Sequence, residues 1–198
     1  MKSLLNFSIF YNLFQNFLGA KRARKIFSKE YINSNKSNRI LDLCCGPCDI
    51  LPHLEFSQYV GVDFNENHIN HSKKKYREYK NASFILEDID LFLNNHTMKF
   101  DIILFLGGMH HIDDEKLTNI LQKIQACLAP NGRLITLDGC FEPQLSWFTK
   151  MMLANDQGQF VRTKEDWIDI FTAVFTDYKY SIRKDLLHVP YNHIIFYK

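Results

Sequence analysis

The chain has 198 residues, 46% apolar and 23% charged, enough for one sizeable core and ordinary for a soluble globular protein. A net charge of +2 and a pI near 8.2 are too mild to argue for nucleic acid as a partner. No run of 18 apolar residues offers a membrane span, and the five cysteines (44, 45, 48, 127 and 140) read as reduced thiols of a cytoplasmic protein.

In chain order, Phe10, Leu13, Phe14, Phe17 and Leu18 recur at i, i+3, i+4 spacing and predict an amphipathic helix. Asn6, Asn12, Gln15 and Asn16 interrupt the apolar run that a signal peptide would need. With the basic KRARK stretch that follows, residues 1–35 form an N-terminal helical lid. Short apolar strands are expected at 39–43, 59–63, 83–86, 100–106 and 133–137, the fourth of them central. Helices are expected at 49–54, 66–79 and 113–128, where Leu117, Ile120, Leu121, Ile124 and Leu128 share one face. Pro130-Asn131-Gly132 marks a turn, two further helices fall at 143–155 and 164–174, and β-like runs at 178–187 and 193–197 close the chain.

Strands alternating with helices predict an α/β fold in one domain, a doubly wound, Rossmann-like, seven-stranded and mostly parallel sheet. The terminal hairpin makes the last strand antiparallel. In such a sheet a ligand binds beyond the carboxyl ends of the strands. The loop after the first strand reads ILDLCCGPCDILPHL over 40–54, and Asp63 closes the second strand 21 residues beyond Asp42. Small residues let backbone approach a ligand, and a carboxylate at that place accepts ribose hydroxyls. The three clustered thiols admit three readings: half a zinc site, a redox pair, or replacements for glycine. No second CxxC or paired histidines complete a zinc site.

ILDLCCGPCDILPHL resembles motif I (LDxGxGxG) of the class I S-adenosylmethionine-dependent methyltransferases. YVGVDFN, FILEDI, FDIILFLGGMHHI and LAPNGRLITLD are similar to the motifs that follow in that family, in order, over residues 38–140. Two glycines of the pattern are cysteines here, and the glycine-replacement reading prevails. The resemblance implies S-adenosyl-L-methionine as cofactor. Asp42, Cys44, Cys45, Gly46 and Cys48 would line its methionine end, and Asp63 would hold the ribose with Phe64 flanking adenine. Asp88 would accept from the adenine amino group and Ile89 would pack on the ring. Leu106 and Gly107 would border the transferred methyl.

Methyl transfer needs alignment and the removal of one proton. His110 and His111, at the exit of the fourth strand, are the candidate bases, with His110 nearer the strand end. Acceptor contacts are expected outside the common motifs, in 1–35 and 141–198: Tyr11, Phe14, Trp147, Tyr191, and Arg162 as a clamp for an acidic group. The exit loop lacks both the Asp/Asn-Pro-Pro-aromatic sequence of adenine amino methylation and the cysteine of pyrimidine C5 methylation. The expected reaction is methylation of a small-molecule oxygen or nitrogen, without nucleic acid, membrane or metal. A non-catalytic cofactor-binding subunit and an RNA methyltransferase are the alternatives, and a nicotinamide-dependent oxidoreductase is disfavoured by the lack of GxGxxG.

Overall fold

The computed structural model describes residues 19–143, 145, 147, 149, 159–188 and 191–198. In chain order these form α1 (Ala20–Phe27), which runs on into a wider π-type turn at Ser28–Ile32, then β1 (Arg39–Leu43), β2 (Gln58–Asp63), α2 (Glu66–Lys75), β3 (Ala82–Leu86), α3 (Ile89–Asn95) and β4 (Phe100–Leu106). There follow α4 (Asp114–Cys127), β5 (Leu128–Phe141), the two-residue β6 (Arg162–Thr163), α5 (Lys164–Thr172), β7 (Lys179–Arg183) and β8 (His193–Tyr197). The strand order is β3-β2-β1-β4-β5-β8-β7, with β6 paired to the end of β5. β1 to β5 run parallel, while β8 is antiparallel to both of its neighbours, as the terminal hairpin predicts.

Alternation along the strands sends side chains to two cores. Leu41, Leu43, Val60, Val62 and Ile103 pack beneath α3, α4 and α5 through Phe92, Leu117, Ile120, Leu121, Ile124 and Phe171. Ile40, Tyr59, Ile102, Leu104 and Ile195 face α1 and α2 through Phe27, Ile32, Ile69 and Tyr76. Residues 20–32, expected as part of a lid, therefore fill one face of the sheet, where Arg133 donates to the Ile32 carbonyl at 2.6 Å. The expected helix at 1–18 lies outside the described residues. Of the one expected at 143–155, helical backbone is described at Trp147 and Thr149.

Three local readings are corrected. The helix expected at 49–54 is only a 3₁₀ turn, Leu51–His53, because Pro52 supplies no N–H and the loop descends through successive tight turns. The helix α3 escaped the periodicity reading; at seven residues it is too short to show a repeat, and its signal is the N-cap Asp88. Pro130-Asn131-Gly132 does form the expected turn, but it is a bulge within a strand that already begins at Leu128 rather than at 133. The register jumps from Phe100↔Leu128 to Ile102↔Arg133, and Asn131 takes φ 61°. No helix among the described residues is long and apolar enough to cross a membrane.

Phe171 of α5 stacks on Phe196 of β8, with ring centroids 3.8 Å apart and planes 5° from parallel. Both rings are buried at the antiparallel edge of the sheet, away from the β1–β2 loop. Phe171→Ala is expected to cost about 3–5 kcal/mol, read from denaturant midpoints, without loss of the β1–β2 loop geometry.

Candidate active site

The loop leaving β1 turns through left-handed backbone at three alternate positions: Cys44 (φ 53°), Gly46 (φ 53°) and Cys48 (φ 52°). A side chain in that region costs roughly 1–2 kcal/mol, which is why glycine is favoured there. Cys44 and Cys48 hold glycine geometry without being glycine. The loop is secured by Cys45 N–H to the Val62 carbonyl (3.1 Å) and Cys48 N–H to the Cys45 carbonyl (2.9 Å). The Cys45 and Cys48 sulfurs rest on the bare backbone of Gly61, where an added Cβ would lie 3.0 and 3.1 Å from them.

Neither sulfur chemistry fits the surroundings. A hydrogen bond with Cys48, burial and nearby carboxylates push the Cys45 thiol far above its ordinary range. Burial, then the charges of Asp63, Asp42, Asp138 and Asp88, push Cys44 up as well. Disulfide exchange needs thiolate. Among the described residues no group of three metal donors converges.

Asp63 ends β2 with its carboxylate almost buried. It accepts from Gly46 N–H and Asn65 N–H, both at 2.8 Å, and His68 Nδ1 lies 3.7 Å away. Burial pushes its acidity the other way, but the nearby His68 and the bonds from Asn65 and Gly46 prevail and hold the group below the ordinary carboxylate range. A carboxylate has about four lone-pair positions, so these bonds leave room for ribose hydroxyls. Phe64, beside it, is 74% exposed, as a ring awaiting a flat ligand would be. Asp88 caps α3, its Oδ1 accepting from Asp90 N–H at 2.8 Å, which leaves Oδ2 for an amino group; Ile89 behind it is buried. A Cβ on Gly107 (φ 70°) would meet nothing within 4 Å, so the β4 exit is open beside Leu106. Four carboxylates thus face the Cys44 position, and a pocket of that sign suits a cationic sulfonium.

Asp42 is fully enclosed beneath the loop. Tyr59 Oη donates to its Oδ2 at 2.5 Å. Burial pushes this carboxyl up to about 7, the tyrosine bond pulls down, and Asp63 adds a smaller push upward.

At the exits of β4 and β5 the sequence reading is extended. Asp138, which it left without a role, is buried near the carboxyl end of β5, three residues before the strand ends; one carboxylate oxygen meets His110 Nδ1 and the other accepts from Met109 N–H at 3.0 Å. The signal available was an acid ending a predicted strand next to the His-His turn. The exposed His111 ring lies 4.2 Å from that of His110. Arg162, expected to clamp an acceptor, is instead only 5% exposed and stacks on Trp167 at 4.7 Å. Its guanidinium donates to Asp114 (2.8 and 2.7 Å) and to the carbonyls of Met109 (3.3 Å), Phe160 (3.0 Å) and Ile112 (2.6 Å). Those bonds engage every donor of the fork, so this arginine braces the His110 turn rather than an acidic ligand. Trp147 is 77% exposed, and the half-buried Tyr191 ring lies 4.7 Å from His193. Tyr11 and Phe14 lie outside the described residues.

Two outcomes follow from the loop and from Asp42. Cys44→Gly is expected to keep S-adenosylhomocysteine affinity within about twofold, whereas Cys44→Val, β-branched at a left-handed position, loses roughly tenfold by calorimetry. For Asp42, the folded pKa of about 7 stands above the ordinary 3.8, so the folded chain holds a proton that the unfolded chain releases. Its contribution is therefore present below pH 4 and is lost as pH rises to 7, by at most about 1.4 kcal/mol per unit. Asp42→Asn lacks that loss, and its denaturation midpoint should exceed wild type at pH 8 by more than at pH 5.

Residues 40–132 match the family model described as "Methyltransferase domain". Over 106 residues the chain is 32% identical to a demethylmenaquinone methyltransferase of Leptospira interrogans, covering 50% of this chain and 42% of that protein. The chain spans about half the length of such curated relatives. It superposes on a SAM dependent methyltransferase from Archaeoglobus fulgidus with a TM-score of 0.71 at 19% identity, over 95% of this chain and 99% of the other. The plantazolicin methyltransferase BpumL, solved with S-adenosylhomocysteine, superposes with a TM-score of 0.66 at 17% identity, over 96% of this chain and 87% of that one. With five motifs in series on a sheet of this order, and glycine-type backbone in the loop at its mouth, residues 40–132 are a methyltransferase domain and the chain has the fold of the class I S-adenosylmethionine-dependent methyltransferases.

Proposed function

We propose that this chain methylates an oxygen or nitrogen of a small-molecule acceptor, in the cytoplasm, without nucleic acid or a membrane as partner. One observation carries the reading: the carboxyl ends of β1 and β2 hold the Cys44–Cys48 loop bonded to Asp63, while the adjoining exits of β4 and β5 hold a buried imidazole–carboxylate pair. S-adenosylmethionine, when bound, supplies an electrophilic methyl on a sulfonium whose departure leaves a neutral thioether.

The chain's own work is to hold and to align. Asp63 and the Cys44–Cys48 backbone hold the ribose and methionine portions, Phe64 and Ile89 enclose the adenine, and Asp88 receives its amino group. Leu106 and Gly107 leave the methyl side open. His110 takes the acceptor proton, with His111 beside it. Trp147 and Tyr191 contribute to the acceptor side. The preserved left-handed backbone of the loop supports a working cofactor site.

Calorimetric titration of S-adenosylhomocysteine into wild type and Asp63→Ala tests the reading, with NAD and zinc as controls. Binding to wild type that weakens by about 1.4 kcal/mol or more in the variant, roughly tenfold, is the expected result. Binding of zinc or NAD in its place would overturn it.

A further inference from the structure

Two polar groups in the cofactor site face each other without bonding, His68 on α2 and Asp63 at the end of β2. Given the function just proposed, we infer that His68 is a specificity-determining residue of this site. Its Nδ1–H donates to the ribose hydroxyl that is bonded to Asp63 Oδ1, so one hydroxyl is read from both sides. His68 lies outside every motif quoted from the sequence.

The ring is placed by the first turn of α2. Asn65 Oδ1 accepts from the N–H groups of Asn67 (3.0 Å) and His68 (3.4 Å), while the Asn65 N–H is bonded to Asp63 Oδ1. Nδ1 thereby stands across the cleft from the β1 loop, where a Cβ on Gly46 would have it as a neighbour at 4.0 Å. It is buried and, among the described residues, has no hydrogen-bond partner. Asp63 Oδ1 is 3.7 Å from it, too far for a bond. The other edge of the ring opens outward, and 45% of the side chain is accessible. A carboxylate opposite Nδ1 favours the proton on that nitrogen, and a buried donor without a partner is costly.

Asp63 supplies the acceptors. The Gly46 N–H takes one position on Oδ2 and the Asn65 N–H one on Oδ1, which leaves one lone pair on each oxygen. Two neighbouring ribose hydroxyls fill those places by donating, and their own lone pairs then face outward. The hydroxyl at Oδ1 lies beside Nδ1, and by accepting from it satisfies the buried donor. A site built in this way rejects a deoxyribose. Removing that hydroxyl strands both the imidazole N–H and a carboxylate lone pair.

The test is calorimetry with S-adenosylhomocysteine and its 2′-deoxy and 3′-deoxy forms on wild type, His68→Leu and His68→Asn. Leucine keeps bulk without a donor, whereas asparagine puts an amide N–H near the Nδ1 position. His68→Leu is expected to bind S-adenosylhomocysteine about five- to tenfold more weakly, and His68→Asn to recover to within about twofold of wild type. One of the two deoxy forms should bind wild type and His68→Leu alike, since the contact is already gone. In wild-type protein the Nδ1 nitrogen resonance should move on adding S-adenosylhomocysteine and stay in place with that deoxy form. Equal losses for all three ligands in His68→Leu, no loss for S-adenosylhomocysteine, His68→Asn as weak as His68→Leu, or an unmoved Nδ1 resonance each overturns the inference. Wild type that binds no S-adenosylhomocysteine overturns the cofactor reading, and this inference with it. Tight binding that ignores His68→Leu removes the inference alone.

Discussion

One carboxylate ties the site together. Asp63 receives the Gly46 N–H from the β1 loop and the Asn65 N–H at the head of α2, so three segments converge on two oxygen atoms. The loop it secures is costly, since three of five successive residues take left-handed backbone and two of them carry side chains. Hydrogen bonds to β2 and the packing of Cys45 and Cys48 against Gly61 offset that cost. A glycine in β2 thus makes room for two of the loop's thiols, one of which, Cys48, stands at a glycine position of the motif.

The four acidic residues around the site show how neighbours set the behaviour of one chemical group. Asp42 is enclosed with a single strong donor and is pushed up to about 7. Asp63 receives several donors and is held low despite burial. Asp88 spends one oxygen on a helix cap, and Asp138 spends both on the turn that carries His110. Burial first, and then their combined field, keeps Cys44 protonated, and that field offers a cationic cofactor a favourable place. The same field that suits a sulfonium is hostile to a thiolate.

Arg162 links this site to the rest of the α/β body. It stands on β6, which pairs with the end of β5, and lies over Trp167, whose indole N–H donates to the Gly139 carbonyl at 3.0 Å. From there it holds the carbonyls around the His110 turn. A surface-like arginine in the sequence is, in the fold, a brace between α5 and the His110 turn.

Much was legible in the sequence because it depends on local order. Apolar runs alternating with helical periods specified the parallel sheet, the terminal hairpin specified an antiparallel last strand, and motif spacing placed Asp42, Asp63 and Asp88 at strand ends. Glycine replacement at Cys44 and Cys48 was legible for the same reason, as backbone geometry follows position in the motif. What only the tertiary structure decided involves groups distant along the chain. Asp138 reaches His110 across 28 residues, Tyr59 reaches Asp42 across 17, and Arg162 turns inward to partners some 50 residues away. Periodicity reports which face a side chain takes. It is silent on which donor meets which acceptor, because that depends on strand order and register, and these exist only once the chain has folded.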